Sequence, residues 1–132
     1  MKDPGRGVLL GVALVAATLF LMSLGQAPFV DPSEGMHAQI AREMGLRGDW
    51  ITPHFNGVRY FDKPPLLYWL QAAAFRFAGQ SEWVARFWSA LAAFGVALLT
   101  ARLGTILGSP RLGLVAGLIV AANLELFLFA RY

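Results

Sequence analysis

The sequence predicts an all-α integral membrane protein. It should have about three transmembrane helices and an extramembrane loop bearing two interfacial helices. Three observations predict this. First, 57% of the 132 residues are hydrophobic and only 14% are charged, against about 25% charged in an ordinary soluble domain, and mean hydropathy is +0.55. Second, apolar runs occupy residues 8–28, 83–107 and 112–131. Third, a segment rich in both signs of charge, residues 31–82, separates the first run from the second. The net charge of +3 is small, and the basic pI of 9.8 comes with no basic cluster, so composition argues against a nucleic-acid partner. The absence of cysteine excludes disulfides and thiolate metal sites.

Residues 8–25 are uncharged and the chain stays uncharged to position 30, which is long enough to cross about 30 Å of hydrocarbon. Lys2 and Arg6 precede this run and predict a cytoplasmic start. A cleaved leader is the competing reading, with Gly25 and Ala27 as small residues at a cut. The run exceeds the roughly 7–15 apolar residues of such leaders, which favours an anchor. Residues 31–82 hold six acids, five Lys or Arg and both histidines. They are too polar to span and too aromatic for a disordered linker, so they are expected to form an ordered periplasmic loop. The second span, 83–107, carries Arg86 and Arg102 near its ends, where long side chains can reach the interfaces. Gly108-Ser109-Pro110-Arg111 should turn on the cytoplasmic side. The third run is interrupted by Glu125, an ionisable residue that reads either as functional or as snorkelling outward.

Within the loop, Asp31-Pro32-Ser33-Glu34 has the form of a helix start, with Asp31 as N-cap, Pro32 at the first helical position and Glu34 closing a capping box. Met36, Ile40 and Met44 then make one apolar stripe, and Gly45 or Gly48 can end the helix. Both acids are candidate catalytic carboxylates as well as candidate caps. A second short helix should run over residues 65–78, opened by Pro65. Its apolar stretch is too short to span and suits the membrane surface. Before it stands "RYFDKPPLLYWL", residues 59–70. Lys63 there can meet an anion at a helix N-terminus, and Asp62 can pair with it, bind a cation or orient a base. The plainer reading is a surface ion pair within an aromatic belt of Tyr60, Phe61, Tyr68 and Trp69. His37 and His54 form no metal motif by their spacing.

The stretches "DPSEGMHAQIAREMGLRGDWITPHFNGVRYFDKPPLLYWLQAAAFRFAG" and "ARFWSALAAFGVALLTARLG" together resemble the N-terminal part of bacterial lipid-linked sugar transferases. That group comprises the lipid A aminoarabinose transferases and the bacterial relatives of protein O-mannosyltransferases, which share the GT-C fold. The resemblance implies a partial GT-C fold over residues 1–132. It implies transfer of a sugar from a polyprenyl-phosphate donor to a lipid or glycan acceptor at the periplasmic face of the bacterial inner membrane. It implies that Lys63 meets the donor phosphate and that Asp62 can hold a divalent metal. The family's acidic pair usually reads Asp-Glu; Ser33-Glu34 stands here, with Asp31 two residues upstream. The resemblance therefore leaves Asp31 and Glu34 as the catalytic candidates. Family members have about a dozen spans, so this chain is expected to be an N-terminal fragment, inactive alone. The alternative from another class is a small non-catalytic membrane interaction or regulatory protein. A transporter fragment is suggested only by Glu125 and the short helix.

Overall fold

The computed structural model describes residues 4–22, 24–25 and 32–130. It is mostly helical, with α1 at Pro4–Leu21, α2 at Pro32–Arg47, β1 at His54–Phe55, β2 at Val58–Arg59, α3 at Leu66–Ala78, α4 at Glu82–Leu107, α5 at Pro110–Ala121 and α6 at Leu124–Phe129. The chain divides into two compact units, Met1–Met22 with Ser89–Tyr132, and Ser23–Trp88.

In the first unit α1 packs on α5. The buried residues of α1 include Val12, Ala16 and Phe20, spaced four apart along one face. The buried face of α5 is Gly113, Gly117 and Ala121, at the same spacing. Small residues there let backbones approach closely. A Cβ added at Gly117 would lie 2.8 Å from the Ala101 Cβ of α4 and 2.9 Å from Val12 Cγ2 of α1. One added at Gly104 would lie 2.9 Å from the Cα of Gly113. The outer faces remain apolar and exposed, with Leu10, Leu14, Leu99, Leu103 and Ile119 among them. Among the described residues, α4 is the one helix long and apolar enough to cross a membrane; the helices at Gly5–Leu21 and Pro110–Ala121 are apolar but shorter.

The third apolar run is not one continuous helix. Ser109 caps α5 by accepting a hydrogen bond from the Leu112 N–H at 3.2 Å, with Pro110 at the first helical position. The helix then stops, and Asn123, in extended conformation, accepts from the Leu126 N–H at 2.9 Å and starts α6. Asn is among the best N-caps, and it competes with helix continuation by this bond. Glu125 falls in the first turn of α6 and is exposed, where an acid suits the helix dipole.

The second unit has its own core. Ile40, Ala41 and Met44 of α2 meet Tyr68 and Ala72 of α3, with Met36, Trp50, Phe55, Tyr60 and Phe75 packed around them. The expected stripe of α2 is thus buried against α3. Gly45 lies inside the helix, and Gly48, at φ +70, ends it by donating to the Met44 carbonyl at 3.1 Å. Between α2 and α3 the chain forms a hairpin where the sequence predicted only loop. Phe55 pairs with Val58 across Asn56-Gly57, whose φ values of 51 and 83 are both positive. Asn-Gly is the dipeptide that tolerates such a turn. At the far end, Gly79 at φ +83 closes α3. The junction with α4 is stitched by Gln71 Nε2 donating to the Ala85 carbonyl at 2.8 Å and Trp88 Nε1 donating to that of Leu70 at 2.9 Å.

Candidate functional site

The site is built at the N-terminal end of α3. Pro64 and Pro65 carry no N–H, and Pro65 already has helical dihedrals, φ −78 and ψ −7. The helix's own bonding begins with the Trp69 N–H donating to the Pro65 carbonyl at 3.0 Å. The N–H groups of Leu66 and Leu67 precede it, in the orphan positions of a helix start. Leu66 and Leu67 line a pocket of about 330 Å³ together with Lys63, Pro64, Tyr68 and His37. Lys63 is the one side chain in that lining with a fixed positive charge. An anion entering the pocket would meet an ammonium and the positive end of a helix dipole together.

Two aromatic groups shape the floor. Tyr68 is 1% exposed, and its hydroxyl lies 3.1 Å from His37 Nδ1 on α2. Burial first, then the charges of Tyr60 and Asp62, pushes the Tyr68 phenol up to about 12. It therefore keeps its proton at neutral pH and donates to Nδ1 when the imidazole carries its own proton on Nε2. The half-buried His37 is thereby oriented from α3, although its place on α2 offered no spacing signal.

Lys63 and Asp62 are brought together. The Lys63 Nζ lies 3.6 Å from Asp62 Oδ2, with the side chains 58% and 63% exposed. Asp62 Oδ2 also accepts from the Tyr60 hydroxyl at 3.2 Å. The Tyr60 phenol is raised by burial and by that acid. Asp62 offers one carboxylate, engaged by Lys63 and Tyr60, and no group of three His, Cys, Asp or Glu that could hold a metal occurs among the described residues.

Glu34 stands elsewhere. Its Oε2 accepts from Arg86 Nη2 at 2.8 Å, and the two side chains are 11% and 6% exposed. Arg86 Nη1 also donates to the Leu24 carbonyl at 2.7 Å. Arg86 therefore does not snorkel from the end of a span. It is buried at the start of α4 and ties the first turn of α2 and the segment after α1 together. Glu34 is not part of the Lys63 pocket lining. Asp31, the other candidate acid, lies outside the described residues.

One acid escaped the sequence reading altogether. Glu43 accepts from the backbone N–H of Asn56 at 2.7 Å and of Gly57 at 3.1 Å, and from Gln39 Nε2 at 3.1 Å. Arg47 Nη2 stands 3.6 Å from Glu43 Oε2. Burial opposes its ionisation, but the bonds from Gly57, Gln39 and Asn56 and the charge of Arg47 outweigh it, so its carboxyl sits below the ordinary glutamate value. The Asn-Gly dipeptide signals the turn, but nothing in the sequence singles out Glu43 as the acceptor of its N–H groups.

With this geometry in hand, the chain can be set beside known proteins. Residues 62–131 match the profile of the family described as dolichyl-phosphate-mannose-protein mannosyltransferase. The chain belongs to that family. The match begins at Asp62, beside the pocket lysine, and covers α3 to α6. The chain is 34% identical over its whole length to undecaprenyl phosphate-alpha-4-amino-4-deoxy-L-arabinose arabinosyl transferase 2 of Sodalis glossinidius, covering 24% of that protein. It is 42% identical over 61% of its length to the transferase of that name, without the numeral, from Aeromonas hydrophila, covering 15% of it. Its fold matches the crystal structure of ArnT from Cupriavidus metallidurans in the apo state, with TM-score 0.86, 28% identity, and coverage of 98% of this chain and 24% of that one. The ArnT structure bound to undecaprenyl phosphate matches with TM-score 0.85, 29% identity, and coverage of 96% and 24%. The chain thus spans about a quarter or less of the length of these relatives. The resemblance to aminoarabinose transferases and to protein mannosyltransferases holds, and the fold is that of the corresponding part of ArnT, a GT-C glycosyltransferase fold.

Proposed function

We propose that this chain is part of a membrane glycosyltransferase that draws a sugar from a polyprenyl-phosphate donor and passes it to a lipid or glycan acceptor. The reaction runs at the periplasmic face of the bacterial inner membrane. In this reading α1, α4 and the α5–α6 pair cross the membrane, with the N-terminus cytoplasmic. The α2–hairpin–α3 unit lies on the periplasmic side, with α3 at the surface.

The observation that carries the reading is Lys63 at the N-terminal end of α3, in a pocket with His37 and Tyr68. Undecaprenyl phosphate is named as the bound lipid of the similar ArnT structure. When a glycosyl phosphate bond breaks, negative charge grows on the departing phosphate. A fixed ammonium and a helix N-terminus at that place stabilise the charge as it develops. The acceptor must lose a proton to a base, and the candidates are Asp31 and Glu34. Because Glu34 Oε2 is engaged by Arg86, its part is to hold the first turn of α2 in place, which leaves Asp31 as the general base. Asp62 steers Lys63 through their ion pair.

The test is Lys63→Ala in the full chain. A charge-assisted contact is worth about 1.5–3 kcal/mol, so donor affinity or turnover should fall roughly 10- to 100-fold, at about 1.4 kcal/mol per decade. Lys63→Arg should restore it only in part, because the planar fork places charge differently. A folded Lys63→Ala protein with unchanged donor affinity and turnover would leave only the surface ion pair.

A further inference from the structure

In the first unit a groove of about 490 Å³ lies between α1 and α4. On α1 it is lined by Arg6, Leu9 and Leu10, and it runs on to Ala13, two turns from Arg6 and so about 10 Å along the helix. On α4 it is lined by Leu98, Leu99 and Arg102. The groove thus has cations at one end and leucines along its length. Both arginines are exposed, no acid is among the lining residues, and neither arginine has an ion-pair partner among the described residues.

We propose that this groove is a binding site for an anionic phospholipid of the bilayer, its phosphate held between Arg6 and Arg102 and an acyl chain laid along the leucines. This goes beyond the transferase reading and rests only on the membrane location given there. The argument is charge complementarity. Two like charges at one apolar groove favour an occupant that brings negative charge with hydrocarbon attached. Guanidinium groups suit phosphate oxygens because their N–H forks can bond in pairs. A zwitterionic lipid would bring its own ammonium to the two guanidinium groups. Arginines that mark only topology would reach to any headgroup without preference, whereas basic pockets between helices select anionic ones.

The test is native mass spectrometry of the full chain in detergent, with phosphatidylglycerol and phosphatidylcholine offered at equal concentration. The wild type should retain phosphatidylglycerol in preference by about tenfold or more. Arg6→Gln/Arg102→Gln should abolish the preference, while Arg59→Gln/Arg76→Gln, which removes the same charge from the other unit, should keep it. Ala13→Phe fills the groove without changing charge and should cut retention severalfold. This variant decides the matter should the arginine double variant not fold. Absence of a preference in the wild type overturns the proposal, as does equal loss in both double variants or full retention in Ala13→Phe. Undecaprenyl phosphate binding is measured in parallel. It should survive Arg6→Gln/Arg102→Gln and weaken in Lys63→Ala, so failure of the lipid site and failure of the donor site give different results.

Discussion

The two units of this chain are held together by different physics. In the first, α1 and α4 meet the small-residue face of α5, and many large side chains face outward although Val12 and Phe20 are buried. In the second, two amphipathic helices bury an apolar stripe against each other, and polar groups then fasten the edges: Arg86 to Glu34 and Leu24, and Glu43 to the hairpin. In the membrane placement proposed above, a unit whose outside is apolar gains nothing by hiding its leucines, and close backbone approach holds it. A unit that borders water, as the second does in the same placement, can use the hydrophobic effect for its core and charge-assisted hydrogen bonds for its shape. The side chains of the candidate site, His37, Lys63 and Tyr68, belong to the second kind.

The largest expected effect tests the polar fastening. Arg86→Met leaves the Glu34 carboxylate buried without its guanidinium and should cost about 3–5 kcal/mol. Arg86→Met/Glu34→Met should recover much of that loss in chemical denaturation. If the single variant melts as the wild type does, the polar half of the comparison collapses. Next comes the first unit. Gly117→Leu forces atoms into the space already held by Ala101 and Val12, and overpacking of this kind should cost about 1–3 kcal/mol. Gly35→Ala, on α2 where an added Cβ meets nothing within 4 Å, should change thermal stability by well under 1 kcal/mol and serves as the contrast.

Glu43→Ala should cost about 1–2 kcal/mol, because two turn N–H groups lose an ionised acceptor. Hydrogen exchange at Asn56 and Gly57 should speed up while α3 stays protected. The effect depends on pH in a definite direction. The folded carboxyl sits below its ordinary value of 4.5. Its stabilisation is therefore fully present above about pH 4.5 and is lost as pH falls through the lower folded value. Glu43→Gln should flatten that acid-side loss. The smallest effect belongs to the exposed Lys63–Asp62 pair. Asp62→Asn should alter stability by about 0–1 kcal/mol even where it changes donor affinity, which separates a working site from a structural fastening.

Much of the local structure could be read from residue order alone. The apolar stripe of Met36, Ile40 and Met44, the Ser109-Pro110 helix start and the prolines ahead of α3 are signals of short range; local backbone chemistry satisfies the last two, and α3 covers the stripe. So is Lys63 ahead of a helix N-terminus, and its motif already carried the family resemblance. The Asn123 break is equally local, since its side chain caps α6 two residues before Glu125. What only the tertiary structure decided were the pairings. Arg86 could have reached to headgroups, and Glu34 could have stood in water as a helix cap. Burial at the start of α4 removed water as a partner and left each as the other's compensation. Glu43 acquired its role from a turn thirteen residues away, and His37 from Tyr68, thirty-one residues away. Such choices depend on which groups lose solvent together, and that is a property of the packed chain rather than of any stretch of it.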